Sequence, residues 1–369
     1  MVDITRPVYL EVNLSQLKRN IEAISAHVAP AKVMPMIKAN AYGHGVDGVA
    51  PFIEPYVGYF GVAILEEGIH LRELGITKPI LVAGGTLPGQ VPYFAEYDLT
   101  LTGSSIELLE IAEQVSQKTG KHIKTHLKFD TGMERVGVHE YDAESLIVKS
   151  AACSHLDVEG IYTHLANSEL ADKSYSIIQL ERFQEILDGY RKLSIPVPAM
   201  KHVCNSGGIL NLPQAHFDMV RPGVLFYGVF PGDEASHDID VKPALTWHAR
   251  ISYSKRTRPG RPVSYGSLWQ AQSETRIVTI PCGYGDGYFR RMTNQAQVLI
   301  GAKKYPQVGR ICMDQFMVDV HDDIVNVGDD VILLGNDIRA EDLAGWAGTN
   351  AYEVLTNISA RVPRVYIKE

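Results

Sequence analysis

The sequence predicts an α/β protein: a parallel (β/α)8 TIM-type barrel followed by a mostly-β domain. Three observations carry this. Eight short apolar runs rich in β-branched and aromatic residues recur in the first part of the chain, each followed by a loop and a helix-period stretch. After about residue 235 the texture changes to alternating strands separated by turn signals. No internal repeat, low-complexity tract or long linker interrupts either part. The predicted division is 1–12, 13–235 and 236–369.

Taken in order, the opening RPVYLEV (6–12) reads as a strand that precedes the barrel and is expected to pair with the β domain. The barrel runs are KVMPMIKAN (32–40), YFGVAIL (59–65), PILVAGG (79–85) and DLTLTG (98–103). They continue with IKTHLKFDTG (123–132), DVEGIYTHLAN (157–167), AMKHVCNSGG (199–208) and FDMVRPG (217–223). Between them LSQLKRNIEAISAHV and SIIQLERFQEILDGYRKL place apolar residues three and four apart, the helical period. Several strands are short, so an open doubly wound sheet also fits the pattern. In the last part, ALTWHARISYSKRTRPGRPVSYG opens the β domain, and helical pattern returns near AEDLAGWAG and NAYEVLTNI.

Composition narrows the function classes. A hydrophobic content of 45% with 21% charged residues is that of an ordinary soluble globular chain. A net charge of -8 leaves no basic excess to neutralise phosphates, which argues against a nucleic-acid partner. No polybasic block or bilayer-length apolar run points to a membrane. The four cysteines, Cys153, Cys204, Cys282 and Cys312, are far apart with no CxxC pair, which suits a reduced cytoplasmic compartment and gives no metal-ligand spacing. The N-terminus has no apolar signal region, so a cytoplasmic protein is expected.

MPMIKANAYGHG (34–45) is the first stretch with chemistry in it. Lys38 falls at the C-terminal end of the first barrel strand, the end at which barrel enzymes keep their active sites. Desolvation there lowers an amine's pKa and suits Schiff-base formation with an aldehyde, although a lone lysine in such a place is more often a surface residue. The small residues after it permit close backbone approach, and the Tyr42 hydroxyl can reach an anion. Barrels often hold phosphate with the loops after strands 7 and 8. NSGG follows the seventh strand and RPGV the eighth, so the Ser206 hydroxyl and the backbone N–H groups of Gly223 and Val224 are candidate donors.

These residues bring a family with them. MIKANAYGHG, LKFDTGMERVG (127–137), YTHLANSE (162–169), HVCNSGG (202–208) and VRPGVLFYG (220–228) resemble the barrel motifs of alanine racemases. PVSYG (262–266), IPCGYGDGYFRR (280–291), GRICMDQ (309–315) and YEVLTNISARVPRVY (352–366) are similar to the motifs of that family's C-terminal domain, in the same order. GYGDG, with Gly285, stands where the family more often has GYADG.

The resemblance implies a pyridoxal 5'-phosphate enzyme that interconverts L- and D-alanine, as an isomerase serving D-alanine supply for peptidoglycan or alanine catabolism. Lys38 would hold the cofactor and act as one base. Tyr265, reaching the active site of the other subunit of a homodimer, would be the second. Phosphate contacts fall to Tyr42, Asn205, Ser206, Gly223, Val224 and Tyr352. Arg221 would meet the pyridine nitrogen, where many pyridoxal enzymes put a carboxylate; an arginine cannot lend its proton, which makes the cofactor a weaker electron sink. His164 and His202 would support Arg221. Arg135 would meet the substrate carboxylate, oriented by a carbamylated Lys128. Met313 and Asp314 would come from the partner subunit, and Tyr284, Arg290 and Arg310 would line the access corridor. The alternatives are a racemase of the same fold acting on serine or a broader set of amino acids, a decarboxylase of related architecture, and a non-catalytic cofactor carrier. Arg221 speaks against the decarboxylase and Tyr265 against the carrier.

Overall fold

The protein is described here from a computed structural model covering residues 5–369. It has the expected (β/α)8 barrel and the mostly-β domain. Among the described residues ten strands precede residue 235. They are β1 (Val8–Asn13), β2 (Lys32–Val33), β3 (Phe60–Val62), β4 (Ile80–Val82), β5 (Leu101–Gly103), β6 (Ile123–Asp130), β7 (Val138–His139), β8 (Leu156–Tyr162), β9 (Met200–His202) and β10 (Met219–Val220).

All but β1 and β7 form the barrel, and backbone pairing closes it as a ring. β3 pairs β4, β5 pairs β6, β6 pairs β8 and β8 pairs β9, all parallel, while β10 pairs β2. The remaining joints are single parallel bridges, Met36 to Gly61 and Leu81 to Thr100, and the bonds from Asp218 N–H to Lys201 O and from Arg221 N–H to Cys204 O. The first run is much shorter as a strand than its apolar stretch. Pro35 has no N–H to donate, so regular pairing stops after Val33, yet Met34 and Met36 still donate to Val220 O and Pro222 O. This irregular stretch is what carries the chain to Lys38.

Around the ring the helices bury one stripe each. In the helix Leu14–Val28 the buried positions Leu17, Ile21, Ile24 and Val28 recur at four, three and four. Each such side chain contributes roughly 2 kcal/mol on burial. Inside the barrel, Met34, Tyr59, Leu81, Tyr162 and Met219 form one buried cluster. The barrel interior also holds polar side chains at zero exposure, among them Thr100, Thr102, His126 and His202.

The β domain is built on a single mixed sheet. Its strands are β11 (Leu245–Arg250), β12 (Tyr253–Thr257), β13 (Thr275–Ile280), β14 (Gln297–Ile300), β15 (Lys303–Val308), β16 (Phe316–Asp319), β17 (Asp330–Leu334) and β18 (Arg364–Ile367). The order is β12-β13-β16-β15-β14-β17-β11-β1-β18. β1 lies antiparallel to β11, with Leu10 opposite Trp247, and parallel to β18. Its alternation puts Val8, Leu10 and Val12 inside.

The chain thus divides into two compact units. One comprises Leu17–Ala41 and Asp47–Lys242; the other comprises the chain up to Gln16, Tyr42–Val46 and Pro243–Glu369. The division falls later than residue 235 for a local reason. Asn20 accepts from Lys242 N–H at 3.0 Å and donates to Lys242 O at 2.9 Å, and Asn211 accepts from Ser236 N–H. Among the described residues no helix is long and apolar enough to cross a membrane.

Candidate active site

Lys38 opens a turn of unusual hand. Ala39, Asn40, Ala41 and Tyr42 all have positive φ, between 49° and 55°. For residues with a Cβ this conformation costs roughly 1–2 kcal/mol each, so the surrounding structure must hold it. Glu67 anchors its start: one carboxylate oxygen accepts from Ala39 N–H at 2.6 Å and the other from Ala63 N–H at 2.8 Å. Burial lowers the pKa of the Lys38 amine, the nearby Arg135 lowers it further, and Glu67 opposes both. More of the amine is therefore neutral near pH 7 than in an exposed lysine.

Arg221 is 4% exposed, and its guanidinium donates to backbone carbonyls and imidazoles. Nη1 donates to His202 Nδ1 and to His202 O, both at 2.9 Å. Nη2 donates to Thr163 O at 2.8 Å, to Val203 O at 3.0 Å and to His164 Nδ1 at 3.3 Å. Burial brings the guanidinium down to about 10, still a cation at neutral pH. Both histidines are held far below the ordinary imidazole value, by burial first and then by Arg221. The neutral imidazoles can therefore accept from the guanidinium. The structure brings Arg221, His164 and His202 together at the C-terminal ends of neighbouring barrel strands.

The loop after β6 carries the substrate candidates. Asp130 builds it: Oδ1 accepts from the N–H groups of Gly132, Met133 and Glu134, and Oδ2 from Arg135 N–H at 2.9 Å. Burial works against this carboxylate, but the backbone donors outweigh it and hold the group below its usual range. Lys128 is 5% exposed, and its Nζ lies 4.5 Å from the ring centre of Tyr162. Among the described residues its Nζ has no hydrogen-bond partner. Burial, then Arg221, drive its pKa far down.

The loops after β9 and β10 meet directly. Ser206 Oγ accepts from Gly223 N–H at 2.9 Å and from Leu225 N–H at 3.3 Å. The Gly223 donor is thus already engaged, while the hydroxyl keeps its own proton as a donor. Asn205 is tied into the loop: it accepts from Gly208 N–H and Ser168 Oγ and donates to Leu165 O. Val224 begins the buried turn Val224–Tyr227.

The remaining candidates lie in the other unit. The rings of Tyr42 and Tyr352 are 6.1 Å apart, with Tyr352 in a short helix capped by Asn350. Tyr284 N–H donates to Cys312 O and Gly285 N–H to Met313 O at 2.8 Å, so these two loops are bound together. Asp314 accepts from Arg361 Nη2 at 2.7 Å, and Arg361 also pairs with the fully buried Asp286. Ser264 has φ 66°, held by its hydroxyl donating to Arg310 O, and presents Tyr265 at 70% exposure. Met313 and Tyr284 are also exposed, and Arg290 begins a single 3-10 turn.

Both parts of the chain match one family. The alanine racemase N-terminal domain matches residues 12–231 and the alanine racemase C-terminal domain residues 244–366. The chain belongs to the alanine racemase family. Among curated family members, the alanine racemase of Carboxydothermus hydrogenoformans is 43% identical, over 98% of this chain and 100% of that one. A solved alanine racemase from Clostridium difficile 630 superposes with a TM-score of 0.94 at 36% identity, covering 100% of this chain and 97% of its own. A third family member, from Bartonella henselae, carries covalently bound pyridoxal phosphate; it has a TM-score of 0.90 at 28% identity over 98% and 99% of the two chains.

Sequence reasoning missed Glu67, which anchors the turn after Lys38, and Arg361, which joins Asp286 to Asp314. The only signal for Glu67 was an acidic residue in the first turn of the helix Leu65–Glu73. Arg361 lies in YEVLTNISARVPRVY, where the resemblance assigns a role only to Tyr352.

Proposed function

We propose that this chain interconverts L- and D-alanine with pyridoxal 5'-phosphate, Lys38 and Tyr265 serving as bases on opposite faces of the substrate carbon. The observation that carries the reading is the state of Lys38: a half-buried amine with a lowered pKa, on a braced turn at the catalytic end of the barrel. The other barrel residues fit the same cofactor. Arg221 is a buried cation that offers N–H groups and cannot give up a proton to a ring nitrogen. When bound, the cofactor supplies an electron sink that acidifies the substrate's Cα–H.

The chain's own groups do the rest. Lys38 in its neutral form holds the cofactor and, once released, takes or returns a proton. Ser206, Asn205, Gly223, Val224, Tyr42 and Tyr352 are assigned the phosphate, with Asn205 acting by holding its loop and Gly223 by orienting the Ser206 hydroxyl. Arg135 is assigned the substrate carboxylate, which a guanidinium fork suits, and Met313 and Asp314 the space beside it. Tyr284, Arg290 and Arg310 are assigned to the access corridor.

Lys128 has the chemistry of a carbamylation site. A neutral amine adds carbon dioxide, forming an N–C bond and releasing one proton. The resulting anion would find Arg221 and Arg135 as counter-charges, the two cations that now depress the amine. Tyr265 completes the reading as a partner-contributed base. Its 70% exposure leaves the ring open to be covered by a second copy of this chain.

The test is a holoenzyme assay. Racemisation of alanine with a visible lysine-bound cofactor band is expected, and Lys38→Ala should abolish both. Binding of the cofactor without exchange of the alanine Cα proton would sink the proposal.

A further inference from the structure

The barrel interior holds a polar chain that the reading above does not use. It starts at Arg221 and runs through two imidazoles to a carboxylate. His202 Nε2 lies 2.8 Å from His126 Nδ1, and His126 Nε2 lies 3.3 Å from Glu159 Oε1. Tyr59 O–H donates to the same Glu159 oxygen at 2.8 Å and also meets Thr100 Oγ1. His126 and His202 have zero exposure, whereas the Glu159 side chain is 30% exposed.

The donors and acceptors of this chain can be assigned in one way. A guanidinium only donates, so His202 Nδ1 must accept. Its proton is then on Nε2 and donates to His126 Nδ1. His126 in turn carries its proton on Nε2 and donates to Glu159. Burial favours the neutral form of both rings. Burial also opposes ionisation of Glu159, but the hydrogen bonds from His126 and Tyr59 outweigh it and keep the carboxyl below its usual range. A cation and an anion are thus joined through two neutral rings, each fixed in one tautomer.

The backbone is shaped to admit this chain. Along β6 and β8, Thr125 is opposite Val158 but His126 is opposite Gly160, so Glu159 is the extra residue of a β-bulge. Bulges re-aim a side chain. A Cβ on Gly160 would lie 2.7 Å from His126 Cγ, so only glycine leaves the ring its place.

We propose that His126 and Glu159 are positioning residues: by fixing the tautomer of His202 they hold the Arg221 guanidinium in the orientation its role requires. The opposite tautomer would point an N–H of His202 at an N–H of Arg221 across 2.9 Å and displace it. The inference rests on the assignment of Arg221 to the cofactor ring.

Four variants of the holoenzyme test it. Glu159→Leu removes the acceptor, Glu159→Gln keeps a carbonyl oxygen that can accept, His126→Phe breaks the chain, and Tyr59→Phe removes only the tyrosine's bond to Glu159. Glu159→Leu and His126→Phe are expected to lower kcat roughly tenfold or more, in line with the loss of carboxylate–histidine support elsewhere. KM for alanine should change much less, and the pH midpoint of the bound-cofactor absorbance should shift. Glu159→Gln should restore most of kcat, and Tyr59→Phe should lower only the melting temperature. Isotope-labelled imidazole nitrogens of the wild-type protein should report His202 protonated on Nε2. The inference is overturned if Nδ1 carries the proton. It is equally overturned if Glu159→Leu matches Tyr59→Phe in kcat and absorbance, or if Glu159→Gln is as damaging as Glu159→Leu. A wild-type protein that binds no cofactor would instead overturn the functional reading, whatever the tautomer.

Discussion

Arg361 ties Asp314 to Asp286: Nη2 lies 2.7 Å from Asp314 Oδ1 and Nε 2.9 Å from Asp286 Oδ1. Asp286 is completely buried, and Arg6 is its other cation. Asp286 also accepts from Gly283 N–H, so one guanidinium sets the geometry of two loops that carry Tyr284 and Met313. Arg361→Ala leaves Asp286 buried with Arg6 alone. The expected loss is about 2 kcal/mol, less than for a fully orphaned buried charge. Urea denaturation should show this, and KM for alanine should rise with it.

Gly285 makes room for that guanidinium. A Cβ there would lie 2.8 Å from Arg361 Nη1 and 3.1 Å from Met313 O. Gly285→Ala is expected to cost roughly 1 kcal/mol by overpacking. It should also weaken the Arg361–Asp314 pair, read as an altered salt dependence of KM.

Gly160→Ala should be worse, because the clash is with a buried ring rather than the end of a flexible chain. A loss of about 2–3 kcal/mol is expected from overpacking in the core. Pairing it with His126→Ala, which vacates the space, should recover part of that loss in a double-mutant cycle.

Lys128 gives a stability prediction with a definite sign. Its folded pKa lies far below 10.5, so between that value and 10.5 the unfolded chain binds one more proton than the folded one. Without carbamylation, stability contributed by this site rises with pH across that window, by up to about 1.4 kcal/mol per unit. Lys128→Met should flatten the slope and raise the melting temperature at pH 7 while lowering activity. Excess bicarbonate should stabilise only the wild type, and an unchanged slope in Lys128→Met would refute the assignment.

Ala39, with φ 50° and an exposed side chain, is the place to test the left-handed turn. Ala39→Gly should stabilise by up to about 1 kcal/mol, relief of the backbone outweighing the entropy of glycine. Ala39→Val should destabilise by more than that.

Much of this architecture was legible in the sequence, for physical reasons. Each apolar run between polar turns became a barrel strand because a parallel strand buried on both faces must be apolar throughout. The placement of Lys38, Arg221 and Ser206 after barrel strands was legible because all three stand where apolar runs end. The left-handed turn was not, since Ala-Asn-Ala-Tyr contains no glycine to announce positive φ. Nor was the Glu159 bulge, which depends on a pairing register between strands far apart in sequence. Arg361 was hidden similarly, because its partners Asp286 and Asp314 come from separate turns.

The central claim is that two bases, Lys38 and Tyr265, act on opposite faces of one carbon. The most direct measurement is Cα-deuterium incorporation from heavy water with Tyr265→Phe, followed separately from L- and D-alanine. The account predicts that exchange persists from one enantiomer while interconversion falls at least about a hundredfold, the scale of a lost general base. Interconversion at the wild-type rate in that variant would contradict it.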